Sequence, residues 1–385
     1  MSRISEDFHV LINYSVNLFN KQSALKITDK KVYSAMLRLL APLGLSIVSS
    51  GCLAMARFSK ETQIGMAIIN LTVACIWYTL QALGPKQPAQ SRPSQINPHA
   101  GSSLVENEEV EAAWTTLEAI GRGYLTDSKT KEWKLENGVS LYRTSDFVKP
   151  VPFQTSPVAY NTKITVKEQD CLDVAKEYFF EKGGASIALV NFANPTNPGG
   201  GFKEGARAQE EQICFRTTLA GFMQYNLDNR EENKFYPLTA EGRAGGAIHT
   251  PNVTVFREGK AKQYAFMDDT LLKIGVITSA AVQCPILSGK LDYAREDDKE
   301  MMKTLIRTQL HAAKTYKYDT VILGAFGCGV FGNPPKVVAQ LYDEVIAQEF
   351  KNVFKEIIFA IIDSRKDLHN PDGNLKPFQD RFGNR

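Results

Sequence analysis

The chain has 385 residues, enough for two domains of ordinary size or for one large domain with appendages. Its 45 basic and 42 acidic side chains leave a formal net charge of +3, so the overall charge gives no general case for nucleic-acid binding, and we expect no direct binding to DNA. The six cysteines and five histidines are scattered and include no C-x-x-C pair, so their spacing suggests neither a zinc site nor a disulfide framework.

A hydrophobic hairpin is predicted near the N-terminus. After a polar and partly helical segment over residues 1–38, the stretches at 39–56 and 62–85 contain no charged residue. Each is long enough for a membrane-spanning helix, which needs about 17 to 25 mainly apolar residues. Residues 39–85 are therefore predicted to anchor the chain in membrane lipid as a two-helix hairpin.

The alternative is a hairpin packed on a soluble domain, because Ser49, Ser50, Gly51 and Asn70 make both stretches only moderately hydrophobic. Basic residues before the hairpin favour a membrane-associated protein whose main domain faces the cytosol. The sequence does not say which membrane this is, or whether it belongs to the producing cell or to another cell.

A linker follows the hairpin. Residues 86–103 are rich in proline, serine and glutamine and show no hydrophobic periodicity, which is typical of a disordered connection. The folded domain is predicted over residues 104–385.

That domain begins with the helical run "EEVEAAWTTLEAIGRGY" and then alternates strands with helices. The strand-like stretches, rich in β-branched or apolar residues, are "KITV", "ASIALVNFA", "AIHTPNVTVF", "KIGVITSAAV", "TVILGAFG" and "EIIFAIID". Amphipathic runs of helix length lie between several of them, among them "DDKEMMKTLIRTQLHAAKTYK" and "PPKVVAQLYDEVIAQEFKNV". The alternation predicts an α/β fold with a mostly parallel sheet covered on both faces, and in such folds ligands bind at the carboxyl ends of the strands.

A glycine triplet leaves the carboxyl end of one predicted strand, in the stretch "NFANPTNPGGGF". Gly199, Gly200 and Gly201 let the backbone approach a ligand closely, and their N–H groups can face phosphate oxygens. A helix predicted roughly over residues 207–225 adds its positive N-terminal end, so the loop favours an anion. A simple turn is the other interpretation of such a triplet.

Two adjacent carboxylates, Glu210 and Glu211, stand at the start of that helix. Carboxylates also stabilise helix N-termini in general, so their position alone does not indicate catalysis. A loop that only held phosphate would gain nothing from them, whereas cleavage of a glycosidic bond needs an acid, a base and a group that stabilises an oxocarbenium-like state. The pair therefore favours a site that holds a phosphorylated sugar and cleaves a bond at its anomeric carbon.

A second glycine-rich turn, "TVILGAFGCGVFGNPP", follows another predicted strand and leads into a helix opened by Pro334 and Pro335. Two such loops on neighbouring strands would clamp a diphosphate. Phe331 would offer a flat surface to a sugar or base, with packing in the core as its alternative role. The chain has no G-x-x-x-x-G-K-[ST] sequence, which disfavours a P-loop nucleotidase.

The combination of "PGGG", seven residues and then "QEE" at residues 198–211 resembles the signature of the poly(ADP-ribose) glycohydrolases, which are macrodomain proteins. The flanking "NFANPTNPGGGF", "IHTPNVTVFR", "GVITSAA" and "GAFGCGVFGNPP" are similar to the smaller, bacterial-type branch of that family. The resemblance extends from about Glu108 to the C-terminus, and nothing in the family matches residues 1–103.

The resemblance implies a three-layer α/β/α macrodomain with a mostly parallel mixed sheet, which binds ADP-ribose and hydrolyses the bond at its terminal ribose without a metal or other cofactor. It implies that Glu211 is the catalytic acid and base and that Glu210 positions the ribose. The binding residues that it implies are Gln209 beside the acids, Gly199, Gly200 and Gly201 at the ribose and diphosphate, Asn194 or Asn197 at ribose hydroxyls, and Gly327, Cys328, Gly329, Val330 and Phe331 in the second diphosphate loop.

Two departures leave the substrate open. "AAVQ" at residues 280–283 stands where the family pattern has "AAPN", and the aromatic clasp of the larger animal-type enzymes has no counterpart that we can locate. The expected partner is therefore poly(ADP-ribose) or ADP-ribosylated protein. A reader that binds ADP-ribose without turnover is the alternative from another class, although it would have no need of Glu211; a hydrolase specific for mono-ADP-ribosylated protein is the third possibility.

Overall fold

The computed structural model describes residues 107–126, 132–267, 271–288, 292–363 and 372–383. The predictions for residues 1–38, 39–85 and 86–103 lie outside these described residues. Among the helices that the structure does describe, none is long and apolar enough to cross a membrane.

The described domain is built on a seven-stranded sheet with the order β3-β6-β7-β5-β8-β9-β4. Its strands are β3 (Asp146–Val148), β4 (Lys163–Lys167), β5 (Ile187–Phe192), β6 (Ala247–Val255), β7 (Leu272–Ser279), β8 (Thr320–Leu323) and β9 (Glu356–Ala360). The strands from β7 to β4 pair in parallel, whereas β6 pairs antiparallel with both β3 and β7. The prediction of an α/β fold with a mostly parallel sheet is confirmed.

Helices cover both faces of this sheet. They are α1 (Glu108–Arg122), α2 (Gly138–Thr144), α3 (Cys171–Glu181), α4 (Gln209–Arg216), α5 (Leu219–Asp228), α6 (Glu296–Thr315), α7 (Pro335–Glu349) and α8 (Leu375–Phe382). A small hairpin of β1 (Tyr124–Thr126) and β2 (Glu132–Lys134) lies outside the main sheet.

The alternation of side chains along β5 explains the two-sided core. Successive residues of a strand point to opposite faces, and Leu189 belongs to a core cluster with Leu172, Phe215 and Phe222 from α3, α4 and α5. Its neighbour Val190 belongs to a second cluster with residues of α6, α7 and α8, among them Leu310, Tyr342 and Phe378. Because both faces are buried, β5 is apolar throughout except for Asn191.

The single helix predicted over residues 207–225 was wrong: the structure has α4 and α5, separated at Thr217 and Thr218. Thr217 adopts an extended backbone and forms an isolated bridge with Val255 of β6. The Thr218 N–H donates to the carbonyl of Thr254 at 2.9 Å, and its hydroxyl accepts from the Thr254 N–H at 2.9 Å. Pairing with a strand distant in sequence therefore overrides the local helical pattern.

Candidate active site

The two glycine-rich loops leave neighbouring parallel strands, as the sequence predicts. The register pairs Ile187 of β5 with Thr320 of β8, so the carboxyl ends of both strands meet at one edge of the sheet. The rings of Phe192 and Phe326, which follow these strands, lie 5.6 Å apart in an edge contact. The loops therefore start from a common, well-packed base.

The glycine triplet wraps around the two carboxylates at the start of α4. The Gly199 N–H donates to Oε1 of Glu210 at 3.2 Å, and the Gly201 N–H donates to Oε1 of Glu211 at 2.9 Å. Gly199 and Gly200 have φ values of 80° and 58°, a region that favours glycine. The loop and the acids thus form one hydrogen-bonded unit in which backbone N–H groups bind carboxylates.

Glu210 has hydrogen-bond partners on both oxygens. Besides Gly199, the Asn191 amide donates to Oε1 at 3.3 Å, and the Asn194 N–H donates to Oε2 at 2.8 Å. The residue is 3% exposed. Burial raises the pKa of Glu210 to about 8, although the hydrogen bonds from Asn194 and Asn191 act in the opposite direction. This carboxyl group is therefore fixed in place by the loop.

Glu211 differs from Glu210 because only one of its two carboxyl oxygens accepts a hydrogen bond within the described residues. Its side chain is held by Gly201 through Oε1, whereas Oε2 is buried and has no hydrogen-bond partner among the described residues. A buried polar oxygen without a partner is uncommon and marks a place where a ligand group or a proton is expected. Of the two acids, Glu211 is thus the one with a carboxyl oxygen that no described protein group engages.

Gln209 positions the helix instead of contacting the acids. Its Oε1 accepts from the Phe192 N–H at 2.8 Å, and its Nε2 donates to the carbonyl of Val190 at 2.8 Å. The pairing of β5 with β8 ends at Leu189 and Ile322. Beyond that point, the side chain of Gln209 takes the place of β8 and bonds to the β5 backbone at Val190 and Phe192. Gln209 therefore fixes the N-terminus of α4, and with it both acids, against the sheet.

Asn194 and Asn197 shape the loop with their side chains. Oδ1 of Asn194 accepts from the N–H groups of Thr196 and Asn197 at 3.0 and 2.9 Å. The Asn197 amide donates to the carbonyl of Gly200, and its oxygen accepts from Arg230 at 3.2 Å. Both side chains therefore brace the loop through hydrogen bonds to its backbone.

Asn333 holds the second loop in shape. Its Nδ2 donates to the carbonyls of Val282 and Gly327 at 2.7 and 3.0 Å, and its Oδ1 accepts from the Tyr293 hydroxyl at 2.7 Å. At Gly327, which has a φ of 73°, a Cβ atom would lie 2.6 Å from Nδ2 of Asn333. The Cys328 side chain is buried, while Val330 is 83% exposed at the tip of the loop.

Some of the predicted site residues line a cleft of about 540 Å³. Gln209 and Phe192 line it on one side, and the second loop contributes Gly327, Gly329, Val330 and Phe331. Residues 199–201, Glu210 and Glu211 do not line the cleft. They form a group beside it, at the start of the helix that Gln209 anchors, in which Gly199 and both acids are buried and Gly200 and Gly201 are half-buried. Within the described residues, no group of three histidine, cysteine, aspartate or glutamate side chains could hold a metal ion.

Sequence reasoning missed Asn191, Asn333 and Tyr293. Asn191 carried a usable signal, because it is the one amide in an otherwise apolar strand, and its Nδ2 reaches both Glu210 and Thr278 at 3.3 Å. Asn333 and Tyr293 lie 40 positions apart and gave no local signal.

Comparisons with known proteins agree with this description. Residues 113–258 match the family model described as the microbial-type PARG catalytic domain. A search of curated proteins finds no significant match.

Among solved structures, the fold is similar to poly(ADP-ribose) glycohydrolase from Thermomonospora curvata, alone and bound to the inhibitor ADP-HPD. These two structures are 24% and 23% identical to the chain, with TM-scores of 0.57 and 0.56. Each match spans 72% of this chain and 100% of the chain of the solved structure. Poly(ADP-ribose) glycohydrolase from Deinococcus radiodurans in complex with ADP-ribose matches at 22% identity and a TM-score of 0.49, covering 65% of this chain and 98% of its own.

The mixed α/β fold and the family match together define the domain as that of a hydrolase of glycosidic bonds in ADP-ribose polymers. Residues 113–258 are thus similar to the microbial-type PARG catalytic domain, and the resemblance to the bacterial-type branch is confirmed.

Proposed function

We propose that this domain is a macrodomain that removes ADP-ribose from poly(ADP-ribose) by hydrolysing the glycosidic bond at the terminal ribose, with Glu211 as general acid and base. The unpartnered Oε2 of Glu211 carries the proposal, because it is the free carboxyl oxygen of the two acids that follow the glycine triplet. The family match supports the substrate class.

In the proposed reaction, Oε2 of Glu211 gives its proton to the leaving oxygen while the bond from that oxygen to the anomeric carbon breaks. Water then attacks the anomeric carbon and returns a proton to Glu211. The Gly201 N–H holds the other oxygen of this carboxyl group, so the acid keeps one orientation in both steps. Glu210, fixed by three N–H donors, positions the ribose.

Substrate binding would use the cleft of about 540 Å³. The N–H groups of the second loop would face the diphosphate, and Phe331 would lie against the ribose. Of the residues that the resemblance implies for binding, Gln209, Gly327, Gly329, Val330 and Phe331 line this cleft. The others lie outside its lining: Asn194, Asn197, Gly199, Gly200, Gly201 and Cys328.

The deciding experiment is release of ADP-ribose by the full-length protein in mild detergent, with poly(ADP-ribose) and mono-ADP-ribosylated protein as substrates. Glu211→Gln should lower release from polymer about 100-fold or more and keep ADP-ribose binding. Glu118→Gln, an exposed change on α1, is the matched control. Binding without release from either substrate would identify a reader, and release only from the modified protein would restrict the substrate to mono-ADP-ribose.

We further propose that residues 39–85 attach the chain to membrane lipid with the catalytic domain on the cytosolic side. The support is the length of the two uncharged stretches and the basic residues before them. Such attachment would raise the effective concentration of modified substrates at one membrane. Fractionation that leaves the full-length protein soluble without detergent would refute the attachment and favour the packed hairpin.

A further inference from the structure

A second cleft, of about 730 Å³, adjoins the proposed ADP-ribose cleft. The two clefts share part of their walls, and the shared residues are Gln169, Asp170, Arg207, Gln212 and Ile362. The proposed reaction makes no use of the second cleft. Because its volume is within the range of about 300–1,000 Å³ that is typical of ligand sites, it is large enough for another nucleotide.

One face of α3 forms a wall of this cleft. Asp173, Lys176 and Phe180 follow each other at spacings of three and four residues, which places them on the same side of a helix. Phe180 is 44% exposed, and Ile362 across the shared wall is 65% exposed. An aromatic ring left open to solvent inside a cleft is suited to stacking on a base.

The cleft also carries cations that are available to an anion. The carboxylate of Glu109 is buried and accepts from Arg207 at 2.9 Å and from Lys260 at 2.7 Å, so one negative charge holds two positive ones. Both cationic side chains are at least half exposed, at 62% and 50%. This group has a net positive charge and faces the cleft.

The acidic side chains around the cleft are engaged elsewhere. Asp170 and Asp173 pair with the buried Arg216 at 2.7 and 2.5 Å. Glu177 pairs with Lys167, and Glu258 pairs with Lys176 at 2.7 Å. Asp170 and Asp173 share the one charge of Arg216 and keep one net negative charge between them, whereas Glu258 is paired with both Lys176 and Lys262. With the group around Glu109 included, cations outnumber carboxylates by one, so the cleft as a whole is weakly positive and can accept an anion.

An exposed ring and a cationic pair in one cleft match a nucleoside diphosphate, which offers a base for stacking and two phosphates for the cations. We infer that the second cleft is a subsite for the adjoining ADP-ribose unit of the polymer, with its adenine on Phe180 and its diphosphate at Arg207 and Lys260. This inference rests on the proposed function, because the first cleft must hold one unit of the same chain.

The test uses the full-length Glu211→Gln protein, in which turnover is suppressed, and measures binding of labelled ADP-ribose and of purified poly(ADP-ribose) chains of two or more units. Chains should bind at least about tenfold more tightly than the monomer, and Phe180→Ala should weaken chain binding about tenfold without changing monomer binding. Phe180→Tyr should preserve chain binding because it keeps the ring. Lys260→Gln should weaken chain binding and reduce its dependence on salt.

Phe153→Ala is the matched control, because Phe153 is 58% exposed and lines neither cleft. Equal binding of monomer and chains, or a Phe180→Ala effect of the same size on both, would overturn the subsite while leaving the proposed function intact. Failure of the Glu211→Gln protein to bind even ADP-ribose would contradict the proposed function and the subsite with it. Circular dichroism of each variant separates loss of binding from loss of fold.

Discussion

A Cβ atom placed on Gly200 would lie 2.1 Å from Oε1 of Glu211 and 3.2 Å from Oε2 of Glu210. The glycine therefore does more than permit a turn, because its missing side chain is the space that the carboxylates occupy. Its φ of 58° adds a second reason for glycine.

Gly200→Ala should displace the acid pair and lower kcat about 100-fold or more, because acid–base catalysis depends on the position of the carboxyl group. Steady-state release of ADP-ribose measures the effect, with thermal unfolding to confirm that the variant folds. Gly121→Ala is the control, since a Cβ atom there meets nothing within 4 Å and the residue lies in α1. Unchanged kcat in Gly200→Ala would argue against Glu211 as the acid.

Gln209 links α4 to the sheet, and its loss should cost stability as well as activity. Gln209→Ala leaves the Phe192 N–H and the Val190 carbonyl without their side-chain partner. Urea denaturation should show a free energy of unfolding lower by about 1–3 kcal/mol. Gln224→Ala, which removes one hydrogen bond to Asp228 on the surface of α5, should cost about 0.5 kcal/mol or less. Similar losses in the two variants would show that Gln209 does not anchor α4.

The sequence predicted the parts of the fold that depend on local pattern. Ile187–Phe192 is a strand because its β-branched and apolar residues are buried on both faces, and α7 begins at Pro335 because proline suits the first turn of a helix. The closeness of the glycine triplet to the acids could also be predicted, because only seven residues separate the triplet from the start of α4.

Interactions between segments distant in the chain could not be predicted from the local sequence pattern. The end of α4 is set by the pairing of Thr217 and Thr218 with β6. The second cleft is lined by both Phe180 and Lys260, which lie 80 positions apart in the sequence. The hydrogen-bond partners of Gln209 could not be predicted either, because they depend on where the pairing of β8 with β5 ends. Each of these features requires the strand order, which local spacing does not determine.

Glu210 should make stability fall with rising pH between about 4.5 and 8. Its folded-state pKa of about 8 lies above the ordinary value of 4.5, so the folded state binds the proton more strongly and the free energy of unfolding falls as pH rises from about 4.5 to 8. Urea denaturation between pH 6.5 and 8 should show a decline of about 1–2 kcal/mol in the wild type. Glu210→Gln should remove most of this decline. An equal slope in both proteins would mean that Glu210 does not titrate in this range.

His249 should make stability depend on pH in the opposite sense and at lower pH. Burial lowers its pKa to about 4 from the ordinary 6.5, against the raising effect of Asp146. Its ring stacks on Tyr316 with centroids 3.5 Å apart, and Nε2 lies 2.8 Å from the Tyr318 hydroxyl. Within the described part of the chain, the buried Nδ1 has no hydrogen-bond partner. The folded state therefore holds the neutral ring, and its stabilising contribution is present above pH 6.5 and lost as pH falls towards 4.

The measurement is the difference in free energy of unfolding between wild type and His249→Gln at several pH values, because the contribution of Glu210 cancels in that difference. The advantage of the wild type should shrink by about 2 kcal/mol between pH 6.5 and 4. His311→Gln is the matched control: burial also lowers the pKa of His311, but this ring is less buried and the change should be smaller. A difference that stays constant with pH would show that His249 titrates alike in the folded and unfolded chain.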